Sequence, residues 1–273
     1  MKKRTRRLLL LSTFILLILS ITFVLSNNKN YNNENNDDEK EKDVVETVYY
    51  RPSQPATTFM GEGQLGTEAS PYVIGSASDM QTLSDEVNNG NTFSGKVIVV
   101  GSGISEINLG DFTPIGTTGK PFSGIFDGSG VNFKLNINKP ETDYVGLFGL
   151  VQSGIIENLS VSGSIRGKSY VGGVVGYQNN SKINNVYSQV DVTSSENFAG
   201  GIVGYANSNS YIENTYSNGI ITGNDYTGGI VGYINSAYQN NSYIRNNYSR
   251  SKVSGTRYVG GIYGSASTGY LSV

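Results

Sequence analysis

From residue 144 onward the apolar residues fall in short bursts and not in helical stripes. Each burst is rich in Val, Ile, Tyr and Thr and is closed by Gly, Asn or Ser, the pattern of short strands joined by tight corners. The bursts are copies of two phrases. The first runs Tyr144-Val-Gly-Leu-Phe-Gly149, then Tyr170-Val-Gly-Gly-Val-Val-Gly-Tyr177, then Phe198-Ala-Gly-Gly-Ile-Val-Gly-Tyr205. It returns as Tyr226-Thr-Gly-Gly-Ile-Val-Gly-Tyr233 and as Tyr258-Val-Gly-Gly-Ile-Tyr-Gly264. Its last glycines, at 149, 176, 204, 232 and 264, are 27, 28, 28 and 32 residues apart. The second phrase keeps the same register as Ile156-Glu-Asn158, Ile183-Asn-Asn185, Ile212-Glu-Asn214 and Ile244-Arg-Asn246. A period of this length predicts stacked coils, each strand lying parallel on its copy one period later. The expected fold class is all-β, a right-handed parallel β-helix (β-solenoid), its hand following the usual crossover.

Residues 59–143 read as an N-terminal cap with the first coils, and 144–273 as the repeat β-helix. Gly63 to Ile74 reads as a turn then a strand, and Lys96 to Val100 as a buried strand. Between them Ser78-x-x-Gln81 reads as a capping box. The helix it opens puts Met80, Leu83 and Val87 on one face and runs to about Asn88, where Asn89-Gly90 ends it. A short capping helix ahead of the coils would cover the open first edge. At the other end the phrase from Tyr258 has no Ile-x-Asn half before Val273. The last coil is therefore expected to expose strand edges and to offer a surface for self-association.

Residues that recur in register predict columns. Asn158, Asn185, Asn214 and Asn246 predict an amide ladder at a coil corner. The glycines are expected to serve where φ is positive or where two backbones approach closely. Tyr187, Tyr216 and Tyr248, each followed by Ser, form a third column. It is either packing within the fold or an exposed aromatic stripe that stacks on sugar rings, and it is the candidate binding stripe.

The N-terminus reads differently. Lys2, Lys3, Arg4, Arg6 and Arg7 precede an 18-residue apolar run from Leu8 to Leu25. Residues 1–26 are thus a signal peptide, cleaved after Ser26, or a single-pass membrane anchor. Either way the rest is exported, to the cell surface or beyond. Residues 27–58 begin Asn-Asn-Lys-Asn-Tyr-Asn-Asn and have almost no apolar content, as in a disordered polar linker. Removing the five basic residues takes the net charge from −2 to −7. An acidic chain of this kind argues against nucleic acid, and against membrane contact outside the N-terminal segment.

Composition narrows the chemistry. The chain has no Cys, His or Trp, which excludes disulfides, thiolate or His-based zinc sites and His-dependent triads. No cofactor or metal is expected. Carboxylates remain: Glu157, Asp191, Glu213 and Asp225, with Arg245, stand in the repeats. Glu157, Asn184, Glu213 and Arg245 share one repeat position, which makes Glu213 and Arg245 neighbours in a surface ion pair worth ~0–1 kcal/mol. Asp111 and Asp127 are expected to shape turns.

Asp111-Phe-Thr-Pro-Ile-Gly116, Pro121-Phe-Ser-Gly-Ile-Phe-Asp-Gly128 and the Gly-Gly-Ile/Val-Val-Gly phrases together resemble the GLUG-motif repeat proteins over about residues 61–273. These are exported, adhesin-like bacterial surface proteins, and the same repeats occur in the N-terminal regions of immunoglobulin A metallopeptidases. The resemblance implies a β-helix at the cell surface. The chain shows no peptidase domain and no Leu-Pro-x-Thr-Gly sorting signal. The expected function is a non-enzymatic adhesion, binding or spacer module whose partner is a host or matrix glycan or protein. The alternative is a carbohydrate-active β-helix enzyme, a polysaccharide lyase or glycosidase, needing carboxylates gathered on one face.

Overall fold

The computed structural model describes residues 59–236 and 242–267, and the backbone of 271–272. The segments read as signal peptide or anchor and as linker, 1–58, lie outside the described residues. Among the described residues no helix is long and apolar enough to cross a membrane.

The chain forms a parallel β-solenoid of about seven turns. A long sheet starts with Tyr72–Ile74 and Val97–Val100 and continues through Ile125–Asn138, Ile155–Gly167, Lys182–Ser194, Tyr211–Ser217 and Ser242–Arg245. A short sheet stacks Val171–Gly172, Asn197–Gly200, Asp225–Gly228 and Arg257–Gly260. A third stacks Phe148–Gln152, Val175–Asn179, Val203–Asn207, Val231–Asn235 and Tyr263–Ala266. Pairing is parallel and follows the repeat, with Ile156 on Ile183, Ile183 on Ile212 and Ile212 on Ile244. All four are buried. The period-2 alternation of each strand puts one set of side chains inside and the other outside. Inside, the first coils are filled by Phe122, Phe126, Phe133 and Phe148, with ring centroids 5.1–5.8 Å apart. Later coils use Val and Ile, such as Val175, Ile202, Val203, Ile230 and Val231.

The helix Ala77–Asn88 buries Met80, Leu83 and Val87 on the expected face. Its start differs from the expectation. The N-cap is Ser76, whose Oγ accepts from Asp79 N, while Asp79 Oδ2 accepts from Gly75 N at 2.8 Å. Asp79 thus takes the reaching-back role that the Ser78-x-x-Gln81 reading assigned to Gln81, but it bonds Gly75 N, one residue before the N-cap. The helix lies near the N-terminal end of the solenoid, between the paired strands Tyr72–Ile74 and Val97–Val100. There it supports the next coil: Asn88 Nδ2 donates to Pro114 O and Asn88 Oδ1 accepts from Gly116 N.

The repeated phrase spans the corner between the two shorter sheets. Its glycines answer close approach, and positive φ is not their role. A Cβ on Gly201 would sit 2.0 Å from Ser217 Oγ and 2.2 Å from Gly229 O. Ser217 follows Tyr216, so the serine after each column tyrosine fills the space that the second glycine leaves. Positive φ is taken instead by the aromatic that opens each phrase: Tyr144, Tyr170, Phe198, Tyr226 and Tyr258 lie at 56–65°. In the last described coil Tyr258 and Val259 are 51% and 45% exposed, against 0% for Val171 and Val203 at covered positions.

Candidate functional site

The candidate tyrosines form the column that the register demands. Tyr187 stacks on Tyr216 at 4.9 Å and Tyr216 on Tyr248 at 5.4 Å, with ring planes 18° and 7° apart. They point outward: Tyr187 and Tyr216 are half-buried and Tyr248 is exposed. They therefore pack on one another between coils on the outer face of the sheet, and not in the solenoid interior. Beside them runs the asparagine ladder. Asn158, Asn185, Asn214 and Asn246 all have φ of 52–55° or 56°, a left-handed conformation that Asn tolerates better than other non-glycine residues. Asn185 Nδ2 donates to Asn158 Oδ1 at 2.8 Å, and Asn246 Nδ2 to Asn214 Oδ1 at 3.3 Å. One rung is displaced: Asn214 Nδ2 donates to Asn184, not Asn185. Asn158, Asn185 and Asn214 with Tyr187 and Tyr216 line a shallow groove of about 260 Å³. Tyr248 lies above it, outside its lining.

A second and larger aromatic surface lies over the two shorter sheets. Tyr144, Tyr170, Phe198, Tyr226 and Tyr258 stack at 4.8–5.0 Å with ring planes within 19°. Tyr177 stacks on Tyr205 alongside at 5.2 Å, and Tyr233 follows at 5.2 Å with its ring tilted by 34°. The two columns meet edge to face, as in Phe198–Tyr205 at 5.1 Å and 84°. Asn207 Nδ2 donates to Asn179 Oδ1 and Asn235 Nδ2 to Asn207 Oδ1, at 3.0 and 2.7 Å, a second amide ladder at the end of the same strands. Burial, then the neighbouring Tyr177, Tyr233 and Tyr170, push the Tyr205 phenol up to about 12 against a lowering hydrogen bond with Asn235. Sequence reasoning did not single out these columns as a surface. Their signal was the aromatic at the first and last positions of each glycine phrase.

Asp127, Glu157 and Glu213 fall in one column, Asp127 beside Glu157 on neighbouring coils and Glu213 two coils further on, while Asp191 and Asp225 stand elsewhere. Glu213 is 4% exposed and sits between Lys182 Nζ at 2.9 Å and Arg245 Nη2 at 2.8 Å. This corrects the expected two-membered surface pair: the carboxylate is covered and has partners from both neighbouring coils. Asp225 pairs with Arg257 one coil on. Asp191 Oδ1 accepts from Ile220 N at 2.8 Å, and Asp127 Oδ1 from Ser129 N at 2.7 Å, each tying backbone. Asp111 meets Lys139 at 3.5 Å. Among the described residues no group of three or more carboxylates is placed to hold a metal ion.

No family model matches the chain. It is 32% identical over 157 residues to halomucin from Haloquadratum walsbyi, a match that covers 54% of this chain and 2% of halomucin. In structure it is similar to a protein of Bacteroides ovatus described as a candidate immunoglobulin A1 protease, with a TM-score of 0.61 and 26% identity. That match covers 76% of this chain and 65% of the other. The chain therefore spans less than two thirds of either protein. The structural likeness to the Bacteroides ovatus protein lies in the β-solenoid.

Proposed function

We propose that the chain is an exported surface module that binds or spaces without catalysing a reaction. The observation that carries this reading is the outward face of the solenoid. Uncharged aromatic and amide columns repeat there coil after coil, while Glu213 and Asp225 are held in ion pairs and Asp191 ties a backbone amide. A repeated surface of this kind suits contact along an extended partner, since each coil adds an equivalent set of groups. The basic and apolar N-terminal segment supports export. The likeness to halomucin and to the Bacteroides ovatus protein supports a place outside the cell. Adhesion to a matrix glycan or protein is the finer form of the reading.

The test has two arms. Cells producing the full chain are treated with external protease, and loss of the solenoid from intact cells is expected. The purified chain is then applied to arrays of matrix proteins and glycans and incubated with common polysaccharides. Retention on the array with the polysaccharides left intact is expected. Polysaccharide cleavage that disappears in Glu213→Gln or Asp191→Asn would overturn the non-enzymatic reading.

A further inference from the structure

The first rings of the two large aromatic columns border one groove together with the hairpin closed by Thr117 and Lys120. Within a column each ring has its faces covered by the rings above and below. Tyr144 is the first ring of its column: Tyr170 covers one face and the edge of Tyr177 approaches it. Among the described residues no further ring lies on its other face. The second column begins one coil later, because the register partner beneath Tyr177 is Leu150. The step between them opens a groove of about 570 Å³, lined by Thr118, Pro121, Tyr144, Gln152, Tyr177 and Tyr205 among others.

We propose that this groove binds a neutral saccharide chain, with a sugar ring laid against Tyr144 and its hydroxyls met by Gln152 and Thr118. The inference rests on the surface-module reading above and names its ligand class. Two observations carry it. The lining has no charged side chain, so an ionic ligand would lose its hydration without gaining a partner. What the lining does offer is aromatic and aliphatic surface with an amide and hydroxyls at the rim, the mixture that orients a polar ligand with apolar faces. Burial, then Tyr144 and Tyr170, push the Tyr177 hydroxyl up, and burial, then Tyr177, Tyr233 and Tyr170, push that of Tyr205 up, so both stay protonated and uncharged.

Isothermal titration calorimetry of the full chain against cellohexaose, mannohexaose, maltohexaose and an oligogalacturonate tests the proposal. At least one neutral hexasaccharide is expected to bind. Tyr144→Leu should weaken it by about tenfold, the loss of one ring contact. Gln152→Ala, at an exposed rim position, should weaken it by about threefold without touching the core, which keeps the test intact if Tyr144→Leu fails to fold. Leu65→Ala, on an exposed turn, should leave binding unchanged. The proposal falls if no neutral hexasaccharide binds, if only the oligogalacturonate binds, or if affinity survives both groove variants. It also falls if affinity is lost instead in Tyr216→Leu, which would move the site to the Asn–Tyr groove. Failure here with retention on a matrix-protein array would leave the surface-module reading standing. Polysaccharide breakdown would remove that reading first.

Discussion

Arg245 reaches back one coil and closes on Glu213, with Nε and Nη2 each 2.8 Å from Oε2. Lys182 takes Oε1 at 2.9 Å from the other side. The Arg245 guanidinium also lies 4.6 Å over the Tyr243 ring. Two cations therefore clamp one covered carboxylate across three successive coils. Because the strands are parallel and in register, a charge at one repeat position meets whatever the next coil puts there.

Glu213 should make the fold acid-sensitive. Burial raises its carboxyl, but the hydrogen bonds and charges of Lys182 and Arg245 outweigh that and hold it below the ordinary value of 4.5. A lowered carboxyl contributes stability above its unfolded pKa and loses it as pH falls through the folded value. Urea midpoints should therefore drop as pH goes below 4.5, and Glu213→Gln should flatten that drop. At neutral pH Glu213→Gln should cost about 1–2 kcal/mol, since two hydrogen-bonded cations lose their charge partner but remain open to water. A Glu213→Gln chain with the same acid slope as the wild type would remove Glu213 from this role.

The asparagine ladder makes a prediction about backbone and side chain together. Asn214 has a φ of 54° and bonds through its amide to Asn184 and Asn246. Asn214→Ala loses those bonds and places a Cβ in the left-handed region, for a cost of about 2 kcal/mol. Asn214→Gly loses the same bonds but not the conformation, and should cost about 1 kcal/mol. Chemical denaturation should order the three chains as wild type, Gly, Ala. The reverse order for the two variants would mean that the conformation does not limit the choice of residue.

Much of this was legible in the sequence for one reason. A parallel solenoid turns a sequence period into a spatial column, so Asn185 and Asn214, or Tyr187 and Tyr216, could be aligned before any coordinates. The four-residue lengthening of the last step was also legible, since Asn207 precedes Tyr211 by four residues and Asn235 precedes Tyr243 by eight. The two strands that follow still pair in register, Tyr211 with Tyr243. What the period could not tell was depth and backbone sign. Glu213 and Arg245 were adjacent on paper, but that Lys182, two positions off the column, would cover the carboxylate depends on side-chain reach. The left-handed turn fell on Tyr170 and Phe198 and not on the adjoining glycines, because those glycines were already required where backbones meet. The aromatic surface over the shorter sheets stayed hidden for the same reason: it begins at residues that a local rule assigns to strands.

One glycine position allows the close-approach reading to be tested within the same chain. Alanine at Gly201 would place its Cβ 2.2 Å from a backbone oxygen of the next coil, which only a shift of the coil can relieve. Gly201→Ala should cost about 3 kcal/mol. Gly261 is its counterpart in the last described coil, and a Cβ there meets nothing within 4 Å. Gly261→Ala should change stability by less than about 0.5 kcal/mol. Equal losses at the two positions, measured by thermal melts, would show that the glycines act through conformation and not through coil contact.

The alkaline limit of the fold should be set by the second aromatic column. Tyr205 is pushed up to about 12 by burial and by Tyr177, Tyr233 and Tyr170, against an ordinary value of about 10. A raised acid of this kind contributes stability that is present below the unfolded pKa and is lost as pH rises through the folded one. The loss should therefore fall between pH 10 and pH 12. Ultraviolet titration should show a fraction of the tyrosines ionising late, together with the loss of near-ultraviolet dichroism, which in a chain without Trp reports on the tyrosine and phenylalanine rings. Tyr205→Phe keeps the ring in the stack and removes the proton, so it should move the alkaline midpoint upward while leaving the melt at pH 7 nearly unchanged. A midpoint that does not move would mean that other groups, such as Tyr177 or Tyr170, set the limit, and the role assigned to Tyr205 would have to be given up.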